Sequence, residues 1–204
     1  MNKLDLIKQM PSLYHPSSKE ISVVDVPEMN FLMMDGTGDP NSAPAYAEAL
    51  TALYQLSYTI KFNLKKGKRA IDYRVMPLEG LWWMDDMRLF SMENKSAWKW
   101  TMMIAQPDFV AADLVEEARK EVAKKKNPPA LALVKFEAYH EGPAAQILHI
   151  GPYNAEGPNI AKIHASIHAS GHQLRGKHHE IYLSDPRRAA PEKLKTIVRQ
   201  PFGK

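Results

Sequence analysis

The chain has 204 residues, of which 45% are hydrophobic and 25% are charged, as is typical of a folded domain with a large buried core. It contains no cysteine, which excludes a disulfide scaffold, a thiol nucleophile, an iron–sulfur cluster and a thiolate zinc site. The net charge of +4 is a mild excess, and its densest cluster closes a predicted helix, so the charge does not favour a nucleic-acid partner.

The amino-terminal residues 1–19 form an extension ahead of the first predicted strand. They lack the apolar stretch of about 7–15 residues that a secretory signal needs. No run of about 18 apolar residues occurs in the sequence, so we expect no membrane span. Together with the missing cysteines, these features favour a cytoplasmic protein without a membrane partner.

The first half of the chain is predicted to contain a hairpin, a helix and two further strands. The hairpin strands, 21–26 and 29–35, flank Pro27-Glu28. The remaining elements are a helix and two strands, at 43–65, 72–84 and 97–106.

A helix predicted over 109–126 leads to Asn127-Pro128-Pro129, the expected boundary between two halves. The same order of elements then recurs. The second half has strands at 131–139 and 144–150, a helix at 156–169, and strands at 177–184 and 194–200.

This recurrence predicts an internal repeat of β-β-α-β-β units, about 20–108 and 131–202, within a single domain. Gly36 and Gly151 each end a strand before a helix, which supports the match. We expect an α+β fold in which the two units form one mostly antiparallel sheet with helices on one face. The other face would carry a central ligand groove near the pseudo-twofold axis.

The strand predicted over 177–184 carries the most informative side chains. Because strand residues alternate between faces, Glu180 and Tyr182 point one way, while Ile181 and Leu183 point the other way. The apolar pair should meet the helices. A carboxylate and a phenol then remain together on the groove face, and His178 shares that face as an orienting partner or a second acid/base.

Tryptophans concentrate on the matching strands of the first half. If Trp82 corresponds to Tyr182, then Gly80 corresponds to Glu180 and removes bulk opposite the acid. The strand over 97–106 adds Trp98 and Trp100 on one face. The predicted ring side chains of the groove are Trp82, Trp98, Trp100 and Tyr139.

A glutamate beside aromatic rings suits two tasks. It can hold a cationic or polarised ligand, with each ring adding about 0.5–2 kcal/mol of cation–π attraction. With its pKa raised by burial it can also act as a general base on water. The alternatives stay open that the rings only fill the core and that Glu180 pairs with a Lys or His at the surface.

Two other residue patterns, a histidine pair and a glycine motif, bear on metal or nucleotide binding. His164 and His168 have a helical i,i+4 spacing, but no acidic residue lies between them and the face is rich in isoleucine. Gly36-Thr37-Gly38 lacks the last glycine of a dinucleotide fingerprint. We therefore expect neither a metal nor a cofactor.

Several segments resemble the GyrI-like small-molecule-binding domain family. They are Ile147–Tyr153, Glu180–Leu183 and Ile197–Pro201 in the second half, with Pro77–Trp83 and Trp100–Asp108 resembling stand-alone bacterial members. The resemblance covers roughly residues 20–202. It implies a duplicated β-α-β-β core with a central groove. In multidrug-sensing relatives, a glutamate at the position of Glu180 meets cationic drugs.

The resemblance also extends to hydrolases that add water to the strained cyclopropane of DNA-alkylating antibiotics. The acid and phenol two residues apart on one strand suit such a reaction: we expect Glu180 to activate or position water and Tyr182 to donate to the oxygen that gains charge as the ring opens, with a hydrophobic or cationic aromatic molecule as partner. The alternative is a protein that binds and sequesters such molecules without turnover. A gyrase interaction ranks last, and about 20 leading residues leave no room for a DNA-binding helix-turn-helix module.

Overall fold

The computed structural model describes residues 3–86 and 95–204. In these ranges the α helices are α1 Leu6–Gln9, α2 Pro11–Tyr14, α3 Pro44–Lys66, α4 Ala112–Lys125 and α5 Gly157–Ala169. The strands are β1 Ser22–Thr37, β2 Leu78–Trp83, β3 Lys99–Gln106, β4 Lys135–Ile150, β5 Gln173–Leu174, β6 His178–Tyr182 and β7 Lys195–Gly203. Within the described ranges, no helix combines the length and apolarity that crossing a membrane requires.

The strands form an antiparallel sheet in the order β4-β1-β3-β2-β6-β7-β5. β4 also pairs with β7, which closes the sheet into a barrel. The predicted α+β fold with an antiparallel sheet is confirmed. Closure gives each long strand of the described residues a hydrogen-bonded neighbour on both sides, and the two-residue β5 lies outside the ring.

The predicted hairpin at 21–35 and the predicted pair of strands at 131–139 and 144–150 are wrong, because each is one long strand. β1 runs through Pro27 and pairs with β4 on both sides of it, the ladder missing only the Pro27–Glu141 pair. Proline has no N–H to donate, so it interrupts the ladder locally without turning the chain. In β4, Gly142 takes φ of +70° opposite Val26, a backbone conformation that suits glycine.

The repeated order is therefore β-α-β-β rather than β-β-α-β-β. The first run is β1-α3-β2-β3 and the second is β4-α5-β6-β7, with α4 between them. The central strands of the two runs, β2 and β6, lie side by side and antiparallel. This pairing brings the chemistry-bearing strands of both halves together.

The amino-terminal extension packs onto the barrel. Its two short helices bury Ile7, Leu13 and Tyr14. The strands that carry the tryptophans are shorter than predicted, since β2 begins at Leu78 and β3 begins after Trp98.

Helix α3 begins at Pro44, a residue suited to the first turn, and ends at Lys66, with Gly67 as its C-cap. It packs against β1 and β3, while α5 packs against β4 and β7. The cavity lies on this helix-bearing face, lined by α3, α5, β2 and β6 together. The predicted groove on the opposite face is wrong, because that face is the closed interior of the barrel, where Ile181 is fully buried.

Candidate functional site

The floor of the cavity is the pairing of β2 with β6, in which Gly80 lies directly opposite Glu180. Above Gly80, the indole Nε1 of Trp82 donates to the hydroxyl of Tyr182 at 3.0 Å. A Cβ at position 80 would lie 2.8 Å from that Nε1 and 3.1 Å from that hydroxyl. Glycine at this position therefore leaves the space in which the two halves of the chain join across the cavity floor.

Glu180 is held by two neighbours on its own strand. The hydroxyl of Tyr182 donates to its Oε2 at 2.7 Å, and Nε2 of His178 lies 3.2 Å from its Oε1. The three side chains share one face because strand residues two apart point the same way. All three line the cavity.

The Glu180 side chain is 15% exposed and faces the cavity. Burial alone would raise its pKa, but the hydrogen bonds from His178 and Tyr182 and the nearby Glu156 hold the pKa below its ordinary value. Our expectation of a raised pKa is therefore wrong for this carboxyl. It is the ionised acid of the site.

Glu156 is a second carboxyl of the cavity, which the sequence pattern did not predict. Its residue is 3% exposed, and its Oε1 is buried without a hydrogen-bond partner among residues 3–86 and 95–204. Burial, and then the charge of Glu180, raise its pKa to about 9. Glu156 is thus the protonated partner of the ionised Glu180.

The position of Glu156 explains why sequence reasoning passed over it. It precedes Gly157-Pro158 at the start of α5, where an acidic residue is usually taken as a helix cap. Its side chain makes no capping hydrogen bond. That this acid lies beside another acid instead of capping its helix is evident only from the tertiary structure.

Aromatic rings wall the cavity around the carboxyls. Trp82 stacks on Tyr46, with ring centroids 6.1 Å apart, and meets Trp98 edge to face at 5.5 Å. Tyr153 packs edge to face on Tyr182 at 5.6 Å. In the described part of the chain the aromatic side chains of the lining are Tyr46, Tyr54, Tyr58, Trp82, Trp98, Tyr153 and Tyr182. Most of them are tyrosines of α3 and of the turn before α5, which the sequence pattern did not indicate.

Two predicted ligand-binding rings lie away from the cavity. Trp100 is fully buried behind Tyr46, with ring centroids 5.4 Å apart, and covers Gly36. Tyr139 packs edge to face on Phe31, where β4 meets β1. Neither lines the cavity. Each fills core space instead, which was the competing interpretation of the aromatics.

The cavity has a volume of about 1560 Å³, larger than the roughly 300–1,000 Å³ of typical ligand pockets. Three lining residues bring buried polar atoms that have no hydrogen-bond partner within the described ranges: Gln55, Glu156 and His164. Buried polar atoms are normally satisfied, so these are the groups that a bound molecule or water would engage.

The i,i+4 histidines of the predicted helix, His164 and His168, do not face a common site. His164 lines the cavity, whereas His168 is exposed. Over the ranges that the structure describes, no group of three or more His, Cys, Asp or Glu side chains is placed to hold a metal ion.

Comparison with solved structures gives three close matches from Listeria innocua. An uncharacterised conserved protein shares 40% identity and a TM-score of 0.92, covering 98% of this chain and 100% of that one. Two proteins described as hydrolases share 39% and 38% identity, with TM-scores of 0.86 and 0.89. The match covers 98% and 99% of this chain and all of theirs. The C-terminal domain of EcmrR, at 12% identity and a TM-score of 0.56, shares the fold.

The comparison with curated proteins gives no match. The model of the GyrI-like small-molecule-binding domain matches residues 19–201, nearly the whole chain. With the paired β-α-β-β units and an aromatic cavity at their junction, the chain belongs to the GyrI-like small-molecule-binding domain family.

Proposed function

We propose that this protein binds hydrophobic, planar or cationic small molecules in the aromatic cavity and hydrolyses a strained-ring electrophile of the cyclopropane type. The observation that carries the proposal is a pair of carboxyls in a cavity walled by aromatic rings: Glu180 on the floor, and Glu156, which is buried with its Oε1 unpartnered among the described residues. Such a reaction would protect the cell from alkylating xenobiotics.

The binding part of the proposal rests on shape and charge. The cavity accepts a molecule of several fused rings, and Tyr46, Trp82 and Trp98 offer both faces and edges for stacking. An organic cation gains about 0.5–2 kcal/mol from each ring that it faces, together with the attraction of the Glu180 carboxylate.

The hydrolytic part of the proposal needs a base for water. Each oxygen of the Glu180 carboxylate accepts one hydrogen bond, from His178 or Tyr182, which leaves lone pairs free on both. The hydroxyl of Tyr182 donates its hydrogen bond to Glu180, so Tyr182 positions the base. We therefore move the proton-donor role expected of Tyr182 to another group.

Glu156 is the donor that the geometry favours. As water attacks the ring carbon, a C–O bond forms, the strained C–C bond breaks, and its electron pair moves to the conjugated carbonyl oxygen of the ligand. Glu180 takes the proton of the water, and Glu156 protonates that oxygen. Proton return from Glu180 to Glu156 restores the starting state, and the net change is the addition of one water.

The relatives support hydrolysis as a class of reaction. Two Listeria innocua proteins that match this chain over its full length at 38–39% identity are described as hydrolases. Their description names no substrate. The cyclopropane substrate is our inference from the cavity and from the resemblance to cyclopropane-opening members of the family.

Binding is tested by quenching of tryptophan fluorescence with N-methylacridinium, a planar permanent cation. We expect saturable quenching and an affinity at least about tenfold lower for Glu180→Gln, because a charge-assisted contact is lost. Glu137→Gln is the matched control, since Glu137 is exposed on β4. Equal affinity of wild type and Glu180→Gln would contradict the role of the carboxylate.

Turnover is tested by incubation with a cyclopropane-bearing alkylator and mass spectrometry of the product. We expect a product heavier by one water and a large loss of rate in Glu180→Gln and in Glu156→Gln, with Glu137→Gln unaffected. Binding without any change in the mass of the ligand would leave the protein as a non-catalytic, sequestering binder. Hydrolysis at the wild-type rate by Glu180→Gln would overturn the assignment of the base.

A further inference from the structure

Two carboxyl groups share the cavity, and the described hydrogen bonds do not satisfy both. Each oxygen of the Glu180 carboxylate accepts one hydrogen bond, from His178 or from Tyr182. Glu156 is 97% buried and keeps Oε1 without a partner among the described residues, although it lines the same cavity. A hydrogen bond between the Glu156 and Glu180 carboxyls contributes to both of their titrations, and such a bond requires a proton on one of them.

We infer that the Glu156–Glu180 pair holds one proton while no cation is bound, and that it releases this proton when an organic cation enters the cavity. The inference rests on the proposed binding function and deepens it, because it assigns the charge state of the ligand that the site prefers. Two like charges at close range cannot both remain ionised at low cost, and a cation placed between them removes that cost.

The other titratable groups around the pair come from every element that packs there. They are His178 and Tyr182 of β6, Tyr46 and Tyr54 of α3, Tyr153 before α5, and His164 of α5. The pKa values of all four tyrosines are raised, mainly by burial, so the phenols stay neutral through neutral pH. Burial lowers the pKa of His164, which keeps that ring neutral as well. Among the described residues, His178 is the histidine that contacts the pair, at 3.2 Å from Glu180.

Proton release makes selectivity depend on pH. The affinity for a permanent cation should rise with pH by up to about tenfold per unit while one proton is displaced. A neutral ring of the same shape leaves the proton on the pair, so its affinity stays constant over the same range. The site then discriminates between charged and uncharged aromatics more strongly at pH 8 than at pH 6.

Calorimetric titration in buffers of different ionisation enthalpy counts the released protons directly. N-methylacridinium is the cation and acridine the neutral ring of similar shape, both at pH 7.5. We expect between about half and one proton released per N-methylacridinium bound to the wild type, and none for acridine. Glu156→Gln should bind the cation without releasing a proton, because glutamine has the shape of the neutral acid.

His178→Gln is the control that separates the two proton sources. It should retain proton release, whereas release that persists in Glu156→Gln and vanishes in His178→Gln would overturn the inference. Binding of N-methylacridinium without proton release would also overturn it, while leaving the proposed binding function intact. If neither ligand binds, both proposals fail.

Discussion

The two faces of the β2–β6 pair each bury two glutamates and a histidine, yet they balance these charges differently. On the interior face, Glu79 and Glu141 flank His179, at 3.0 Å from Nε2 and 2.9 Å from Nδ1. On the cavity face, Glu156 and Glu180 meet His178, which contacts Glu180 at 3.2 Å. The two pairs of glutamates differ in the cations that contact them.

The interior pair of acids is matched by two cations. Arg199 contacts Glu141 at 3.2 Å and donates to the carbonyl of Leu13 at 2.8 Å. Burial would raise the pKa of Glu141, but His179 and Arg199 lower it to about 2. Burial would lower the pKa of His179, but Glu141 and Glu79 raise it to about 9. The charge of Glu141 is thus balanced by His179 and Arg199.

Among residues 3–86 and 95–204 no arginine contacts the cavity pair, and burial and the charge of Glu180 raise the pKa of Glu156 instead. A buried acid that is not matched by a cation is costly, and folded proteins usually avoid it. The same residue types stabilise the fold where their charges are balanced by neighbouring cations. Where the charges are not balanced, as in the cavity, a bound cation would balance them.

The largest expected effect comes from breaking the interior balance. Arg199→Met leaves Glu141 buried beside a single histidine and removes the hydrogen bond to the carbonyl of Leu13. Loss of one partner from a buried ion pair costs about 3–5 kcal/mol in the free energy of unfolding. Urea unfolding followed by circular dichroism measures it.

Arg187→Met is the matched control for this experiment. Arg187 forms an exposed ion pair with Asp185, so its loss should change the free energy of unfolding little. An unfolding midpoint of Arg199→Met equal to that of the wild type would show that the interior network does not stabilise the fold.

The second expected effect is a difference in pH dependence between the two faces. Glu156 keeps its proton in the folded chain up to about pH 9, whereas an ordinary glutamate loses it near pH 4.5. Between these values the folded state binds one more proton, so stability falls as pH rises. Glu156→Gln should remove this slope and gain up to about 1.4 kcal/mol per pH unit over the wild type.

The slope due to His179 should survive in Glu156→Gln. The raised pKa of His179 stabilises the fold fully below its ordinary value of 6.5, and this contribution is lost as pH rises through about 9. Urea unfolding at pH 5, 6, 7 and 8 separates the two effects. Parallel curves for wild type and Glu156→Gln would show that Glu156 is ionised in the folded protein.

The sequence predicted the fold class well because hydrophobic alternation and helix boundaries are local features. It missed that β1 and β4 are single strands, since a proline usually ends a strand. At Pro27 the ladder loses only one pair and β4 continues to pair beyond it. Barrel closure by β4 and β7 depends on contacts distant in sequence, which no local pattern encodes.

The site was predicted in part for the same reason. Glu180, Tyr182 and His178 share a face through strand alternation, and Gly80 was matched to Glu180 through the repeat. The α3 tyrosines and Glu156 come from elements that only the tertiary fold brings to β6. Trp100 lies on the same sheet face as Trp82, but Tyr46 covers it. Strand alternation predicts which face a side chain lies on but not how deeply the side chain is buried.

The smallest expected effect uses a phenol on each face. Tyr14 donates to Glu79 at 3.1 Å in the interior, and Tyr182 donates to Glu180 at 2.7 Å in the cavity. Removal of either hydroxyl, in Tyr14→Phe or Tyr182→Phe, should cost about 1–3 kcal/mol in the free energy of unfolding, since each leaves a buried carboxyl without one of its hydrogen bonds. Because the two substitutions are chemically identical, any further difference reports on the face that each phenol occupies.

That difference should appear in ligand binding. Tyr182→Phe removes one of the hydrogen bonds that lower the pKa of Glu180, so the cavity carboxylate becomes easier to protonate. The affinity for N-methylacridinium should therefore begin to fall at a higher pH in Tyr182→Phe than in the wild type. Tyr14→Phe should follow the wild-type profile, because its glutamate stays within the balanced interior. Identical binding profiles for the two variants would mean that Tyr182 supports the fold and not the charge of the site.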